Sequence, residues 1–173
     1  VLNYYGHTNS KVLNGGWVKW ISENKPVSIS PNKVDKTKFV AKKDDSLIAD
    51  HNRVLAAINS DTDVIWDART IEEYNGQNSR GNKNTGHVPS CVYTEWLDLI
   101  DSSNMSCFKS PSELDKIFES IGVTREKQVF TYWQGGIRAA HVLFTLKLMG
   151  FEKVSNYDGS MGEWANMDGM PLE

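Results

Sequence analysis

The segment Val129-Phe130-Thr131-Tyr132-Trp133-Gln134-Gly135-Gly136-Ile137-Arg138-Ala139-Ala140-His141 restricts the fold more than any other stretch of the chain. Four residues suited to a buried strand run into paired glycines and then into a helical pattern. A strand, a tight turn and a helix in that order form the opening half of a parallel β-α-β unit. The turn aims backbone N–H groups and the positive helix end at its first residue, position 133. A thiol there would be held as a nucleophilic thiolate. Trp133 offers no such group.

The neighbouring sequence predicts the same architecture. Asp63-Val64-Ile65-Trp66-Asp67 is a short apolar run that delivers a carboxylate at its C-terminal end, and Ile71 to Tyr74 predicts a helical turn. Residues 75–85 form a polar, glycine-bearing loop. Cys91 to Tyr93 predicts a further short strand, with Trp96, Leu97, Leu99 and Ile100 on a helix after it. Ser110-Pro111-Ser112-Glu113 has the pattern of a capping box with proline at the first helical position. Leu114, Ile117, Phe118 and Ile121 then supply an apolar stripe that Gly122 closes. A helix from Arg138 to Met149, closed by Gly150, and a strand from Val154 to Tyr157 complete the series. The spacing of Leu47, Ile48, Val54, Leu55, Ala56 and Ile58 predicts an earlier helix over 46–59. Alternating strands and helices imply an α/β fold, with a parallel sheet covered on both faces and its site at the C-terminal strand ends.

Composition excludes several classes. The 19 Lys and Arg residues against 22 Asp and Glu leave no basic stripe, so no nucleic-acid partner is expected. The lysines between Lys33 and Lys43 read as a solvated connecting face. No apolar run is long enough to span a membrane, and no membrane partner is expected. Cys91 and Cys107 lack metal-ligand spacing; neither a metal nor another cofactor is expected. Both read as free thiols, Cys91 packed and Cys107 in a loop, which favours a reducing, cytoplasm-like compartment without fixing localisation.

The two ends of the chain repeat. At an offset of 144, Leu2 falls on Leu146, Gly6 on Gly150, Gly15 on Gly159 and Trp20 on Trp164, and a proline follows each tryptophan, Pro26 and Pro171. The expected organisation is therefore the tail of an upstream copy over 1–26, a polar linker over 27–45 and one complete domain over 46–173.

Four blocks then match a known family in order. Asp67-Ala68-Arg69-Thr70-Ile71-Glu72-Glu73-Tyr74, Gly86-His87-Val88-Pro89, Tyr132 to Ala140 and Tyr157-Asp158-Gly159-Ser160-Met161-Gly162-Glu163-Trp164 resemble the signatures of the rhodanese (thiosulfate sulfurtransferase) family. Val12 to Trp20 resembles the end of a first such domain in two-domain members. The resemblance implies a rhodanese-like three-layer domain. In the family a cysteine at the first loop position carries sulfur, as a persulfide, from a donor to a thiophilic acceptor. Four residues separate Trp133 from Arg138, as in the family's shorter sulfurtransferase loop; the related phosphatases have five.

The resemblance places Trp133 at the catalytic position, and Gln134, Gly135, Gly136, Ile137 and Arg138 in the active-site loop. Asp67, Arg69, His87 and Asp158 are expected in support. Arg69 is expected to pair with Asp67, Glu72 or Glu73, His87 to fix a turn, His141 to be structural, and Asp158 to cap the next helix or steady the loop. Arg138 is expected to hold the loop or to offer charge to an anionic donor. Partners implied are an upstream domain and a small sulfur donor or anion. Three functional readings stay open: a domain whose own site is inactive, an active enzyme in which Trp133 is a mutation, and a module that holds an anion or a partner carboxylate on the loop N–H groups.

Overall fold

The computed structural model describes residues 1–104 and 106–173. Five parallel strands form the central sheet: β1 (Ile48–Ala49), β2 (Asp63–Asp67), β3 (Val92–Tyr93), β6 (Gln128–Tyr132) and β7 (Val154–Tyr157), in the spatial order β1-β7-β6-β2-β3. The middle of the sheet is β6, paired with β2 along its whole length from Asp63↔Gln128 to Asp67↔Tyr132. A two-stranded antiparallel hairpin, β4 (Ile100–Asp101) with β5 (Cys107–Phe108), stands apart from it.

Strand alternation divides the interior into two cores. Val64, Trp66, Val129 and Val154 point to one face, where Leu114 and Phe118 of α4 (Pro111–Ser120) and Val142 and Leu146 of α5 (Ile137–Leu148) cover them. Ile65, Phe130, Tyr132 and Tyr157 point to the other, under Val54 and Ala57 of α2 (His51–Ala57) and Met161 and Trp164 of α6 (Ser160–Trp164). The expected three-layer α/β arrangement is therefore present, and Trp66 and Trp164 are core anchors with no exposed surface.

Local signals explain most boundaries. The Glu113 carboxylate accepts the Ser110 N–H at 3.0 Å to start α4, and Thr70 and Glu73 form a second capping box at α3 (Ile71–Tyr74). Three expectations need correction. The helix expected over 46–59 is a 3-10 turn, strand β1 and then α2, because Ile48 and Ala49 pair with Asn156 and Tyr157 of β7 and Asp50 caps α2 through the Arg53 N–H. The helix expected through Ile100 is a short 3-10 turn over Trp96–Leu99, since Ile100 pairs with Phe108. Cys107 is accordingly a buried strand residue and not a loop residue. Both cysteines are free.

The N-terminal segment shares several backbone features with the C-terminal one, although Gly15 and Gly159 differ, with φ of 80° and −59°. Helix α1 (Gly16–Ser22) begins 144 residues before α6. His7 N donates to Leu2 O at 2.9 Å, as Phe151 N does to Leu146 O at 3.0 Å; Glu23 N donates to Lys19 O as Met167 N does to Glu163 O. Gly6 and Gly150 share a left-handed backbone, with φ of 87° and 84°. The Trp20 indole donates to Pro26 O at 2.9 Å, and the Trp164 indole donates to Pro171 O at 2.8 Å. Burial differs: α1 has no buried residue, whereas Ser160, Met161 and Trp164 of α6 are all buried.

Candidate functional site

The site lies where β6 ends and α5 begins, flanked by the C-terminal ends of β2 and β7, the edge at which parallel sheets place their chemistry. Gly136 precedes α5 with φ of 77°, and a side chain there would collide with the Asp158 carboxylate, so only glycine fits. Asp158 thus packs under the loop. It does not cap α6, which has Gly159 at its N-cap position and no side-chain cap.

The loop is tied to α6. Ser160 Oγ accepts the Trp133 N–H at 3.2 Å and the Gly136 N–H at 3.0 Å while donating to Tyr157 O. Met161 N and Gly162 N donate to the carbonyls of Trp133 and Gln134 at 3.0 and 2.8 Å. A second tie comes from the polar loop after α3: the amides of Asn82 and Gln134 exchange two hydrogen bonds, at 3.0 and 2.9 Å. Two of the N–H groups that would face an anion are therefore satisfied by a hydroxyl. Gly135 and Ile137 remain exposed at the rim.

Trp133 itself is only 9% exposed. The Arg138 guanidinium lies 4.3 Å from its ring centre and 5.0 Å from that of Trp96, so it is shared between two indoles. Arg80, from the polar loop, stands 5.9 Å from the Trp133 ring and 3.4 Å from the Glu73 carboxylate. Cations over aromatic faces are attracted by the ring quadrupole. Among the described residues Arg138 makes no hydrogen bond to a loop carbonyl; its contacts are with the two rings. The indole nitrogens of Trp133 and Trp96 are both buried without a partner among the described residues.

Below the loop lies a buried polar network. Arg69 clasps Asp67 with contacts of 2.7 to 3.0 Å and donates to Gly86 O at 2.7 Å. Tyr132 donates to Asp67 Oδ2 at 2.7 Å, and its hydroxyl accepts the Val88 N–H. Burial, then the Asp67 charge, pushes the Tyr132 phenol well above its ordinary range, so it stays a donor. Of the expected partners for Arg69, Asp67 is the one it takes.

His87 serves the frame. Its Nδ1 lies 3.0 Å from Tyr74 O, its ring stacks on Tyr74 at 3.8 Å, and its backbone pairs with Glu173 through two hydrogen bonds. His141 packs flat on Phe108 and edge-on to Trp96. Neither cysteine lies in the loop after β6. Burial, reinforced by Asp67, pushes Cys91 up to about 12, so it remains a thiol at neutral pH. Cys107 belongs to the hairpin. Among the described residues, no cluster of His, Cys, Asp or Glu could hold a metal.

Sequence reasoning missed Arg80, Asn82, Trp96 and Ser160. Ser160 was visible inside a quoted block, but its φ of 51° and double acceptor role were not. Arg80, Asn82 and Trp96 touch Trp133, Gln134 and Arg138 across 53, 52 and 42 residues, and no local spacing announces such contacts.

Residues 50–167 match the rhodanese-like domain family. The chain belongs to the rhodanese family. Among relatives of this rhodanese-like chain, the thiosulfate sulfurtransferase of Corynebacterium glutamicum is 33% identical, over 100% of this chain and 60% of its own length. The sulfur carrier protein TtuD of Thermus thermophilus is 30% identical, over 98% of this chain and 63% of its own. The chain thus spans about three fifths of these relatives. Among solved structures, EanB with ergothioneine superposes with a TM-score of 0.89 at 22% identity, covering 99% of this chain and 43% of EanB. Another form of EanB, with ergothioneine covalently linked with a cysteine persulfide, superposes with a TM-score of 0.88 at 23% identity, covering 100% and 43%. These two likenesses concern the fold.

Proposed function

We propose that this domain is a sulfurtransferase fold without sulfurtransferase chemistry of its own, serving as a structural or regulatory partner to an upstream unit of the same kind. The observation that carries this is Trp133 at the end of β6, the position that receives the loop and helix N-terminus. Sulfur transfer through this loop requires a thiolate that attacks the outer sulfur of the donor. That step releases sulfite from thiosulfate and leaves a persulfide, from which an acceptor such as cyanide then takes the outer sulfur. Indole supplies neither the lone pair nor the leaving group for this sequence.

The remaining scaffold supports the reading. The tight turn, the tie to α6 and the Asp67–Arg69–Tyr132 network all stand without the nucleophile. The upstream unit is supported by the matched hydrogen-bond pattern of residues 2–23 and 146–167, by the exposed apolar side chains of Val12, Trp17 and Val18, and by the greater length of the relatives. Buried in an interface, those side chains would lose a solvation cost that they carry here.

A thiosulfate:cyanide assay on this chain beside its Trp133→Cys variant tests the assignment. No thiocyanate from the native chain and measurable turnover from the variant is the expected result. Turnover by the native chain at or above the variant's rate overturns it.

A further inference from the structure

Helix α5 is apolar on two sides. Ala139, Val142, Thr145 and Leu146 are buried, while Ala140, Phe144, Lys147 and Leu148 recur at helical spacing on a second stripe. A cleft of about 630 Å³ opens along that stripe, lined also by Leu2 and Tyr4 of the N-terminal segment and by Ile48 of β1. The N-terminal wall is anchored: Asp44 N donates to Tyr4 O at 2.8 Å, Lys42 N to Tyr5 O at 3.0 Å, and the Tyr4 hydroxyl to Asp45 Oδ1 at 3.1 Å. Small-molecule sites have volumes of about 300–1,000 Å³, and this cleft falls among them. From Ala140 to Leu148 the helix axis advances about 12 Å, at about 1.5 Å per residue, a length suited to an extended chain.

Polar groups in the same lining are underused. Lys11 and Lys147 both border the cleft, and neither forms an ion pair among the described residues. Lys147 Nζ donates to Glu152 O at 2.6 Å, which leaves it further donors. Asp44 lies within the field of Lys147 but is engaged by the Ser46 N–H at 3.1 Å. Asn156, 5% exposed, completes the lining with an Oδ1 that has no partner among the described residues. Trp133 takes no part in this lining. We propose that the cleft binds a free medium-chain carboxylate of the fatty-acid class, its chain against Ile48, Phe144 and Leu148 and its head group at Lys11 and Lys147. An uncharged chain would leave both ammonium groups unpaired, and an inorganic anion would leave the apolar lining wet; a carboxylate on an aliphatic chain answers both.

Isothermal titration of this chain with sodium octanoate, octan-1-ol and sodium acetate tests the site. Octanoate is expected to bind at millimolar concentration or below, octan-1-ol about tenfold more weakly, and acetate not at all in that range. Ala140 is exposed on the stripe, so Ala140→Phe should fill the cleft and abolish octanoate binding. Should that variant melt below the native chain, Leu148→Glu, at a position 57% exposed, blocks the same cleft with a like charge. Lys11→Met with Lys147→Met should weaken octanoate by about tenfold, the sum expected for two solvent-facing ion pairs, and leave octan-1-ol unchanged. No octanoate binding overturns the site, including the case in which Ala140→Phe instead abolishes self-association and a second copy covers the cleft. Equal affinity for octanoate and octan-1-ol overturns the carboxylate, and octanoate binding that survives both blocking variants overturns the location.

Discussion

Trp20 and Trp164 make the same hydrogen bond, to the carbonyl of a proline that follows by six or seven residues, on helices that begin 144 residues apart. Only one of them stabilises a core. Trp164 is sealed between α6 and the sheet, against Tyr157, while Trp20 sits on a helix with no buried residue. Similar local sequence has produced similar local backbone in both places. Burial, which dominates the energetics, comes from what lies opposite.

The sharpest way to break this comparison is to truncate both rings. Trp164→Ala should cost about 3–5 kcal/mol in urea unfolding, the range for losing a buried aromatic, and Trp20→Ala less than about 1 kcal/mol. Equal losses would mean that the N-terminal segment is as integral as the C-terminal one. A similar loss, about 3–5 kcal/mol, is expected for Asp67→Asn, because it strands the Arg69 guanidinium without its carboxylate. The surface pair Lys83–Asp168 provides the contrast: Asp168→Asn should change stability by less than about 1 kcal/mol.

The exposed segment makes a different prediction. Trp17 and Val18 are 65% and 66% exposed on adjacent positions of α1, so this chain should self-associate as its concentration rises. Trp17→Lys with Val18→Lys should shift the dissociation constant in sedimentation or light scattering by about tenfold or more. A native chain that stays monomeric at the highest concentrations removes the case for a covered face.

The smallest expected effect is a pH dependence. Burial lowers the His141 pKa, so the folded state binds this proton less readily than the unfolded state, whose value lies near 6.5. Stability from this residue is present above that value and declines as pH falls below it. His141→Phe should flatten the slope of unfolding free energy between pH 7 and pH 5, and an unchanged slope would assign it to other groups.

Much of the frame was legible from sequence because it rests on short-range rules. The strand over 154–157, the capping box at Ser110 and the glycine that closes α4 follow from alternation, side-chain reach and positive φ. Misreadings fell where a distant partner decided the outcome. Ile48 and Ala49 carry a helical apolar pattern, yet β7 recruits them as an edge strand. Ile100 continues a helical pattern, yet it pairs with Phe108. The site divides in the same way: Gly136, Asp67 and Arg69 could be read from spacing and motif, whereas Arg80 could not.

By itself, the sequence determined the order β2, α3, β3, α4, β6, α5 and β7, the place of the loop at the end of β6 and the lack of a thiol at its first position, since each depends on residue type and near neighbours. Tertiary structure alone decided that the Trp133 indole turns inward between Arg80 and Arg138, and that Ser160 takes two of the loop's N–H groups. Ser160 reaches the loop across 24 and 27 residues and Arg80 across 53. Only packing against the completed sheet brings them within hydrogen-bonding and cation–π range.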